Sequence, residues 1–553
     1  MININRYIKS HLKWFLIFVV ALLLANAATV LVQFQKGNVL NDALGLNYAL
    51  LIKAIIFLIV YIIAEIIFMQ IAFRAQNTIV NYAERDMKHD FFSSILQMEY
   101  SKFQNSTIGN YISKFTVMIP ELEDKYFSSL MLLLSFCVKI VIITIALAIL
   151  NWKVMILALF LLTMPMYLPK ILEKKIQHFQ KQHVEKAERF INGLTNMLQG
   201  FEVIKNFSIE KSIISKFSEV NHDASSASLK NDNYNSLMRG LMAFISYFSY
   251  FAIIAFSAYL VFTKEFNAGQ FFIAVGMIDA LSYPLIAISG SIQNIIATKA
   301  LRTEFIEFIS QNSNVNDARV VHFKHQITLN NISFRYPGMS SWVFHELSLE
   351  IKKGGKYLIQ GESGSGKTTL INCLLRYYKI DRGAITIDDE PLNNVANIYD
   401  IFSIMRQDVF LFSDTLRNNL TLFDDSIKDA TIFEILNHLG MTKYATYEGL
   451  EKNVGDGMLQ LSGGERRRIG LARVLLSSKD VVILDEPISN LDEDNKKVIQ
   501  NYIMSIEDKT ILIVSHEWSN KSDNNKLGGF DRILVMDTSN KADLRIRENG
   551  VGG

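Results

Sequence analysis

The sequence has few cysteines, few prolines and little net charge for its 553 residues. The 2 cysteines, Cys137 and Cys373, exclude the disulfide framework that holds small secreted domains together. The formal net charge of +2 gives the whole chain no field toward nucleic acid, so nucleic acid is not an expected partner. With 7 prolines and 50% hydrophobic residues, the chain is more apolar than a typical soluble enzyme, and its length predicts two or more domains.

No small-residue cleavage site is visible after the first apolar run, so we expect no cleavable signal peptide there. That run is long enough to remain as an anchor. The first half of the chain holds six apolar stretches of roughly the ~20 residues that a helix needs to cross a bilayer. These stretches are residues 14–32, 49–72, 129–150, 154–172, 240–262 and 270–290. The sequence therefore predicts an all-α transmembrane domain with six spanning helices over residues 1–309.

The connections between these stretches differ in length and in charge. More than 50 residues with helical periodicity separate the second stretch from the third, and the fourth from the fifth. The long connections are rich in lysine and arginine, whereas the short ones carry only Lys36, Lys153 and Lys264. Because basic loops stay on the cytoplasmic side, we expect a multi-pass protein of the cell membrane. Its N-terminus, its long connections and its C-terminal half would lie in the cytoplasm.

The composition changes at a polar linker over residues 310–324, after which short apolar strands alternate with helices. This alternation predicts an α/β domain over residues 325–553. One of its strands leads into the stretch GESGSGKTT, in which glycines let backbone N–H groups turn toward phosphate oxygens at the start of a helix. The residues predicted to bind a nucleotide in this phosphate loop are Gly361, Glu362, Ser363, Gly364, Ser365, Gly366, Lys367, Thr368 and Thr369.

Two adjacent acids, Asp485 and Glu486, end the apolar strand VVILD. Charged groups at a buried strand end are costly unless they serve a cation or a reaction. We therefore expect Asp485 and the Thr368 hydroxyl to hold Mg²⁺, and Glu486 to polarise the attacking water. His516 ends another apolar strand, and the strand order of such a nucleotide fold can bring it beside the γ-phosphate.

A second glycine-rich stretch, LSGGERRRIGLARVLL, begins at Leu461 and precedes the strand with the two acids. It resembles the signature motif of the ABC transporter ATPases, and the resemblance extends over nearly the whole chain. The resemblance implies an exporter-type half-transporter, with a membrane domain fused to a P-loop ATPase domain. It also implies that two half-transporter subunits, identical or related, dimerise head to tail. Ser462, Gly463 and Gly464 of one chain would then contact the ATP held by the other.

The resemblance assigns roles to further residues. Tyr336 matches the aromatic that stacks on adenine, and Gln407 matches the glutamine that touches Mg²⁺ and the lytic water. Asp492 matches the loop that crosses to the partner site, and His516 matches the switch histidine. The implied cofactors are ATP and Mg²⁺. The implied catalytic residues are Glu486, His516 and Gln407, and the implied metal ligands are Thr368, Gln407 and Asp485.

The sequence departs from the family pattern at several positions. Glu465 stands where the signature motif usually has glutamine, and we expect a mild effect because it lies away from the predicted phosphate contacts. Met118 stands where an aspartate is common, and Pro120 predicts a kink in the helix that contains it. Residues 102–115 and 200–217 resemble the two cytoplasmic turns that hold short coupling helices. The C-terminal end lacks the family's usual last helices, and no function is assigned to it.

The resemblance predicts that ATP favours a closed dimer over an open one, and that the long cytoplasmic helices transmit this closure to the membrane domain. The expected cargo is a peptide, a lipid or a drug-like amphiphile. Four ionisable residues lie in or near the spans: Lys53, Glu65, Lys139 and Asp279. One interpretation is that Glu65 or Asp279 contacts a polar or cationic cargo. The other, which we favour, is that Glu65 pairs internally with Lys139 and that Lys53 extends to the membrane interface.

Two other functions stay open at this point. One is import of a small molecule, such as a metal chelate, on the exporter fold. The other is a membrane ATPase that senses a ligand without transporting it. The sequence shows no additional N-terminal domain with a Cys/His pair, which weakens the case for a leader-cleaving peptide exporter.

Overall fold

The computed structural model describes residues 4–104, 106–171, 173–310, 320–455, 461–489, 493–516, 518, 529–536 and 545–548. Contacts between residues divide the chain into two compact units. Unit 1 comprises Met1–Leu96 and Thr107–Gln311, and unit 2 comprises Gln97–Ser106 and Asn312–Gly553. The composition of the sequence predicts domain boundaries at residues 309 and 325. These boundaries divide the chain into continuous domains and stay a prediction. The contacts add that one short inner segment, Gln97–Ser106, packs with unit 2.

The regular elements of unit 1 are all helices among its described residues, and short turns connect them. Its α-helices are Arg6–Lys9, Leu12–Leu44, Tyr48–Leu96, Ile108–Ser113, Ile119–Leu122, Ser129–Leu150, Trp152–Ile171, Glu173–Gln199, Phe201–Asn206, Glu210–Phe262, Ala268–Ala297 and Lys299–Ser310. The π-helical turns Lys114–Met118 and Glu123–Ser128 lie on either side of the helix that contains Pro120. This departure from α-helical geometry occurs where the proline predicts a kink, since proline removes a backbone donor from the helix.

Five of the six predicted spans fall within one of these helices, and the fourth, 154–172, does so up to Ile171, because residue 172 lies outside the described residues. Within the described part of the chain, five helical segments are long and apolar enough to cross a membrane: Leu12–Leu44, Tyr48–Leu96, Ile108–Leu150, Glu210–Phe262 and Ala268–Ser310. The fourth predicted span lies in the helix Trp152–Ile171, which is apolar over Trp152–Met164. The helix Glu210–Phe262 has 53 residues. It is about 80 Å long at ~1.5 Å per residue, far more than a hydrocarbon core of ~30 Å.

The first and last long helices of unit 1 pack closely through glycines. A Cβ atom added to Gly37 would lie 2.7 Å from the carbonyl oxygen of Gly269, so neither helix tolerates a larger side chain there. The side chain of Asn41 also accepts a hydrogen bond from the backbone N–H of Gly269 at 2.8 Å. Small residues and side-chain hydrogen bonds are the usual means by which membrane helices associate, because lipid gives no hydrophobic drive between them.

Unit 2 is an α/β domain built on two sheets, counted over the described residues. The first sheet is antiparallel, with the strands Phe344–Lys352, Gln326–Phe334, Arg382–Ile387 and Glu390–Pro391 in spatial order. The second sheet has the spatial order Arg545–Glu548, Arg532–Met536, Lys356–Gly361, Thr510–Val514, Val481–Asp485 and Phe402–Met405. Its pairs are parallel except at the Arg545–Glu548 edge. A small pair joins Asp414–Thr415 to Asn453–Val454.

The helices of unit 2 cover these sheets or form a separate helical subdomain. They are Tyr100–Phe103, Lys367–Leu374, Ile398–Ile401, Leu416–Thr421, Asp429–His438, Tyr447–Leu450, Gly463–Leu476 and Glu493–Ser505, with 3₁₀ turns at Leu392–Asn394 and Thr442–Tyr444. The central strands Val481–Asp485 and Thr510–Val514 are buried along their whole length, as expected for parallel strands covered on both faces. The carboxyl ends of these strands meet at the same edge of the sheet as the phosphate loop.

Candidate nucleotide site

The phosphate loop lies between the buried strand Lys356–Gly361 and the helix Lys367–Leu374. Gly366 precedes the helix with a left-handed backbone, φ +96°, and a Cβ atom added to it would lie 2.6 Å from the side chain of Val343. A side chain at this position would therefore be strained by its backbone angle and by its neighbour. The glycine lets the chain turn sharply into the helix, so that the first helical N–H groups stay available to an anion.

A cavity of about 730 Å³ opens over this loop. It brings together most of the residues that the sequence predicts for the site. The wall comprises Tyr336, Met339, Ser341, Trp342, Val343, Glu362, Ser363, Gly364, Ser365, Gly366, Lys367, Thr368, Thr369, Gln407, Asp485, Glu486 and His516. Gly361 lies at the end of the strand that leads into the loop, with its carbonyl oxygen turned to Lys367.

Lys367 holds the phosphate loop together from inside. Its ammonium donates hydrogen bonds to the carbonyl oxygens of Gly361 and Glu362, at 2.6 and 2.7 Å. These carbonyl oxygens belong to the same turn whose N–H groups face the cavity. The two carbonyl oxygens, which are neutral acceptors, therefore hold the lysine charge beside the loop. An anionic phosphate can replace them as the partner of Lys367, because a hydrogen bond between two charged groups is stronger than one to a neutral carbonyl.

The two acids lie side by side at the carboxyl end of the strand Val481–Asp485. Asp485 is 6% exposed and Glu486 is 7% exposed. Burial raises the pKa of the Asp485 carboxyl, and the neighbouring Glu486 adds to this effect, while Arg406 and Lys367 oppose it. Glu486 has a left-handed backbone, φ +55°, and its N–H donates to the carbonyl oxygen of Val514 at 2.8 Å. This backbone contact to the next strand holds the unusual conformation in place.

His516 contacts Glu486 directly. Its Nδ1 lies 2.7 Å from Oε1 of Glu486, and the histidine side chain is 60% exposed. The register of the two parallel strands explains the contact, since Val514 pairs with Asp485 and each strand continues from there into its functional residue. Oε2 of Glu486 is buried and has no hydrogen-bond partner among the described residues. One carboxylate oxygen is therefore oriented by histidine, and the other can receive a proton.

The residues present fit a divalent cation such as Mg²⁺. A buried carboxylate with a raised pKa, next to a second carboxylate, is stabilised in its charged form by a cation. Thr368 supplies a hydroxyl oxygen at the same cavity and Gln407 an amide oxygen, and hard oxygen ligands are those that Mg²⁺ prefers. Asp485 and Thr368 are the residues that would hold the ion, together with Gln407.

Two aromatic side chains border the outer part of the cavity. The hydroxyl of Tyr336 lies 2.7 Å from the hydroxyl of Thr369, and its ring packs edge-on against Phe334 and Tyr378. The structure adds Trp342, which sequence reasoning did not single out. The guanidinium groups of Arg335 and Arg382 lie 5.1 and 5.4 Å from the centre of its ring. The only indication in the sequence was a tryptophan six positions after Tyr336.

The signature stretch forms the start of the helix Gly463–Leu476. Ser462 caps this helix, because its hydroxyl accepts from the N–H of Glu465 at 3.2 Å while the Glu465 carboxylate accepts from the N–H of Ser462 at 2.8 Å. Gly463 and Gly464 are the first two residues of the helix. Among the described residues that line the cavity, none belongs to this stretch. Asp492 lies outside the described residues.

The segment Gln97–Ser106 packs against unit 2 near the cavity. The ring of Tyr100 stacks on that of Tyr377 with centroids 4.0 Å apart. Arg406 precedes Gln407 in the chain, and its guanidinium group lies 5.6 Å from the centre of the Tyr377 ring. The same group donates a hydrogen bond to the side-chain oxygen of Asn372 at 2.6 Å. A short helix of this segment is thus linked through two aromatic rings to the strand end that carries Gln407.

In unit 1, Glu65 has a hydroxyl partner. Thr29 donates a hydrogen bond to Oε1 of Glu65 at 2.8 Å, and no ion pair joins Glu65 to Lys139 among the described residues. The internal pair with Lys139 is therefore not formed in this structure. Asp279 is exposed on its helix. In the stretch 200–217, the structure has the short helix Phe201–Asn206 between two long ones.

Comparison with known proteins gives matches in both halves. The family model described as "ABC transporter transmembrane region" matches residues 15–285, and the model described as "ABC transporter" matches residues 344–489. A putative multidrug export ATP-binding/permease protein, YgaD, of Bacillus subtilis is 24% identical, with 82% of this chain and 78% of that protein covered. An ATP-dependent lipid A-core flippase of Photobacterium profundum is 23% identical, with 85% of this chain and 80% of that protein covered.

Among solved structures, a bacterial Atm1-family ABC exporter with ATP bound superposes with a TM-score of 0.78. It is 20% identical in sequence, and the match covers 97% of this chain and 95% of that chain. The similarity at this level of identity concerns the fold. It extends over both units, which agrees with the order of a helical membrane region followed by a nucleotide-binding domain.

Proposed function

Because the chain belongs to the ABC transporter family and has the fold of its exporter-type half-transporters, we propose that it is an ATP-driven exporter of an amphipathic molecule. The cargo would be a peptide, a lipid or a drug-like compound. The names of two relatives mention multidrug export and lipid A, which supports the last two classes. The observation that carries the proposal is the joining of Lys367, Glu486 and His516 on one cavity.

The residues of this cavity have separate roles in the proposed hydrolysis. The phosphate loop and Lys367 bind the nucleotide phosphates, and Tyr336 supports the base. Thr368, Asp485 and Gln407 hold Mg²⁺, which supplies charge neutralisation at the phosphates. Glu486 accepts a proton from the attacking water, while His516 keeps Oε1 in place. Because His516 holds the carboxylate in one orientation, less entropy is lost when Glu486 takes the proton of the water that attacks the γ-phosphate.

The proposed working unit is a dimer of half-transporters. Ser462, Gly463 and Gly464 lie on a helix start that is separate from the cavity of their own chain. They would therefore serve a nucleotide bound by the partner subunit, and Asp492 would lie in the loop that crosses to it. A nucleotide that touches both chains favours the closed dimer over the open one by its differential affinity. The partner is an identical or a related chain.

The orientation in the cell membrane follows from the basic connections. Lysine and arginine are concentrated on the tail and on the two long connections, so these parts and unit 2 would face the cytoplasm. ATP is then available to unit 2, and closure of the dimer turns the membrane cavity outward. We place the transmembrane domain at residues 1–309, the linker at 310–324 and the nucleotide-binding domain at 325–553.

Transport by the purified chain in liposomes tests this function. We would select the population with unit 2 outside, add Mg²⁺ and ATP outside, and follow fluorescent phospholipid, a cationic dye and a labelled peptide. ATP-dependent accumulation inside the vesicles, or in their inner leaflet, is the expected result. Glu486→Gln should abolish it, whereas Asp480→Asn, which changes an acid at the other end of the same strand, should not.

Three outcomes would contradict the proposal. ATP-driven movement out of these vesicles would indicate import, and hydrolysis without movement of any cargo class would indicate a ligand-sensing ATPase. The absence of ATP hydrolysis in the assembled protein would overturn the assignment of the nucleotide site as a whole.

A further inference from the structure

Glu465, which replaces the glutamine usual in the signature motif, has a lysine partner that the sequence does not bring near it. The Nζ atom of Lys443 lies 2.5 Å from Oε1 of Glu465. The carboxylate also accepts from the backbone N–H of Ser462 at 2.8 Å and from the hydroxyl of Tyr444 at 3.3 Å. Glu465 is 9% exposed, so its charge is shielded from water and satisfied by these three donors.

The position of Lys443 is fixed by its neighbour in the chain. Lys443 lies in the 3₁₀ turn Thr442–Tyr444, and Tyr444 is buried in a hydrophobic core cluster of unit 2. The Tyr444 ring also lies 4.8 Å from the lysine ammonium. One turn therefore supplies two donors to the Glu465 carboxylate, one from each of two consecutive residues.

The charge of Glu465 is not needed for capping the helix. A glutamine side chain at this position would also accept from the Ser462 N–H and complete the same capping box. Burial disfavours the charged form of Glu465, but the hydrogen bonds from Lys443 and Ser462 outweigh it and hold its pKa at about 2. The carboxylate is therefore ionised at neutral pH, next to a helix start whose dipole attracts anions.

This charge conflicts with the proposed role of the helix start. A nucleotide phosphate that approaches Ser462 from the partner subunit would meet a negative charge three residues further along the helix. Repulsion between like charges a few ångströms apart would weaken the contact unless a cation offsets it. Lys443 supplies that cation at the carboxylate itself.

We propose that Lys443 is a positioning residue: it neutralises Glu465 and, through Glu465, holds Ser462 in the geometry that contacts the nucleotide of the partner subunit. This inference depends on the proposed function, because it assigns part of the signature contact. Glutamine in the usual motif needs no such lysine. In this chain, Glu465 and Lys443 together take the place of that glutamine.

A double-mutant cycle on the full-length protein in nanodiscs tests the unit. We would measure the ATP concentration for half-maximal hydrolysis, kcat and the unfolding midpoint of wild type, Lys443→Met, Glu465→Gln and the double variant. Lys443→Met should raise the half-maximal ATP concentration roughly threefold to tenfold, with kcat little changed, because the uncompensated charge of Glu465 repels the nucleotide. The double variant should return to within about twofold of wild type.

Two further variants separate charge from fold. Lys443→Arg should behave as wild type, because it keeps the charge and the donors. Lys353→Met, which removes an ion pair with Asp480 elsewhere in unit 2, is the matched control and should leave the ATP dependence unchanged. The defect of Lys443→Met should also decrease at high salt, because a screened charge repels less.

The proposal is overturned if the double variant is as impaired as Lys443→Met, or if Lys443→Met lowers kcat and the unfolding midpoint without changing the ATP dependence. Those results would mean a purely structural pair. Both outcomes presuppose active wild-type protein, whereas inactive wild type would overturn the proposed function itself.

Discussion

Two helix starts in unit 2 are assigned to the same nucleotide phosphates, but they are built in opposite ways. The helix Lys367–Leu374 begins after a left-handed glycine, Gly366, that offers no side-chain cap. The helix Gly463–Leu476 begins with a complete capping box between Ser462 and Glu465. The first helix start leaves its backbone N–H groups available to an incoming anion. At the second, the backbone N–H groups of Ser462 and Glu465 already donate to each other's side chains.

This difference indicates two kinds of anion contact. The phosphate loop surrounds its anion with backbone donors and a lysine, so it can supply most of the binding energy. The signature start keeps its shape without a ligand and adds few donors from one side. We therefore expect changes at the first start to affect binding and hydrolysis on a single chain. Changes at the second should affect closure of the dimer.

The largest effect is expected for Glu486→Gln at the cavity of the first start. The amide cannot accept the proton of the attacking water, so turnover should fall by at least about 100-fold, within the range typical of general-base removal. ATP binding should persist and favour the closed dimer. Steady-state hydrolysis and size or spectroscopic assays of dimer closure would measure the two effects. Unchanged turnover would refute the assignment of Glu486.

Lys367→Ala should weaken ATP binding roughly tenfold to 100-fold, because it removes a charge-assisted hydrogen bond to phosphate. Equilibrium binding of a fluorescent ATP analogue would measure this loss. Lys352→Ala, an exposed lysine on the strand Phe344–Lys352, is the control and should bind as wild type. Wild-type affinity in Lys367→Ala would mean that the phosphate loop does not supply more of the ATP-binding energy than the signature start.

Ser462→Ala tests the second start. Loss of an N-cap side chain costs about 1 kcal/mol of helix stability, and here it also removes a hydroxyl from the proposed phosphate contact. We expect the ATP concentration for half-maximal hydrolysis to rise roughly tenfold, with ATP binding to the open chain within about twofold of wild type. If binding to the open chain decreases as it does in Lys367→Ala, the signature start does not act in the partner site.

A smaller effect is expected from the pKa of Asp485. Because burial raises this pKa in the folded chain, the folded state binds more protons than the unfolded state above the ordinary value of 3.8. In Mg²⁺-free buffer, stability should therefore decrease as pH rises from that value through the raised pKa, and it should not decrease further above it. Asp485→Asn should flatten this dependence and raise the unfolding midpoint at neutral pH by about 1–3 °C.

Thermal unfolding of the full-length protein between pH 4 and pH 7 measures this effect. The same scans with Mg²⁺ and ATP measure how much the bound metal and nucleotide stabilise each protein. Mg²⁺ and ATP should stabilise wild type far more than Asp485→Asn. Equal stabilisation of both proteins would contradict the role of Asp485 as a metal ligand.

The sequence predicts the parts of this molecule that depend on local pattern. Apolar runs gave the helix Ser129–Leu150 with its bounds, because a bilayer demands a minimum apolar length. The phosphate loop and the two acids were recognisable because their chemistry needs particular residues at short spacing. The parallel register then explains why Glu486 and His516 meet at one cavity.

Contacts between distant residues could not be predicted in this way. No local pattern places Lys443 against Glu465, joins Tyr336 to Thr369 or brings Trp342 to the cavity. The same holds for Glu65, which has Thr29 as its partner because two helices of unit 1 pack at that level. These contacts depend on tertiary packing, so a single sequence contains no periodicity that reveals them.

The membership of Gln97–Ser106 in unit 2 has a practical consequence for dissection of the chain. A fragment expressed from the linker onward lacks these ten residues, and with them the ring that covers Tyr377. Such a fragment would expose an aromatic surface that the intact chain covers, and it would aggregate more readily than a fragment that keeps the segment. Restoring the segment as a tethered peptide at its N-terminus should make the isolated ATPase monodisperse.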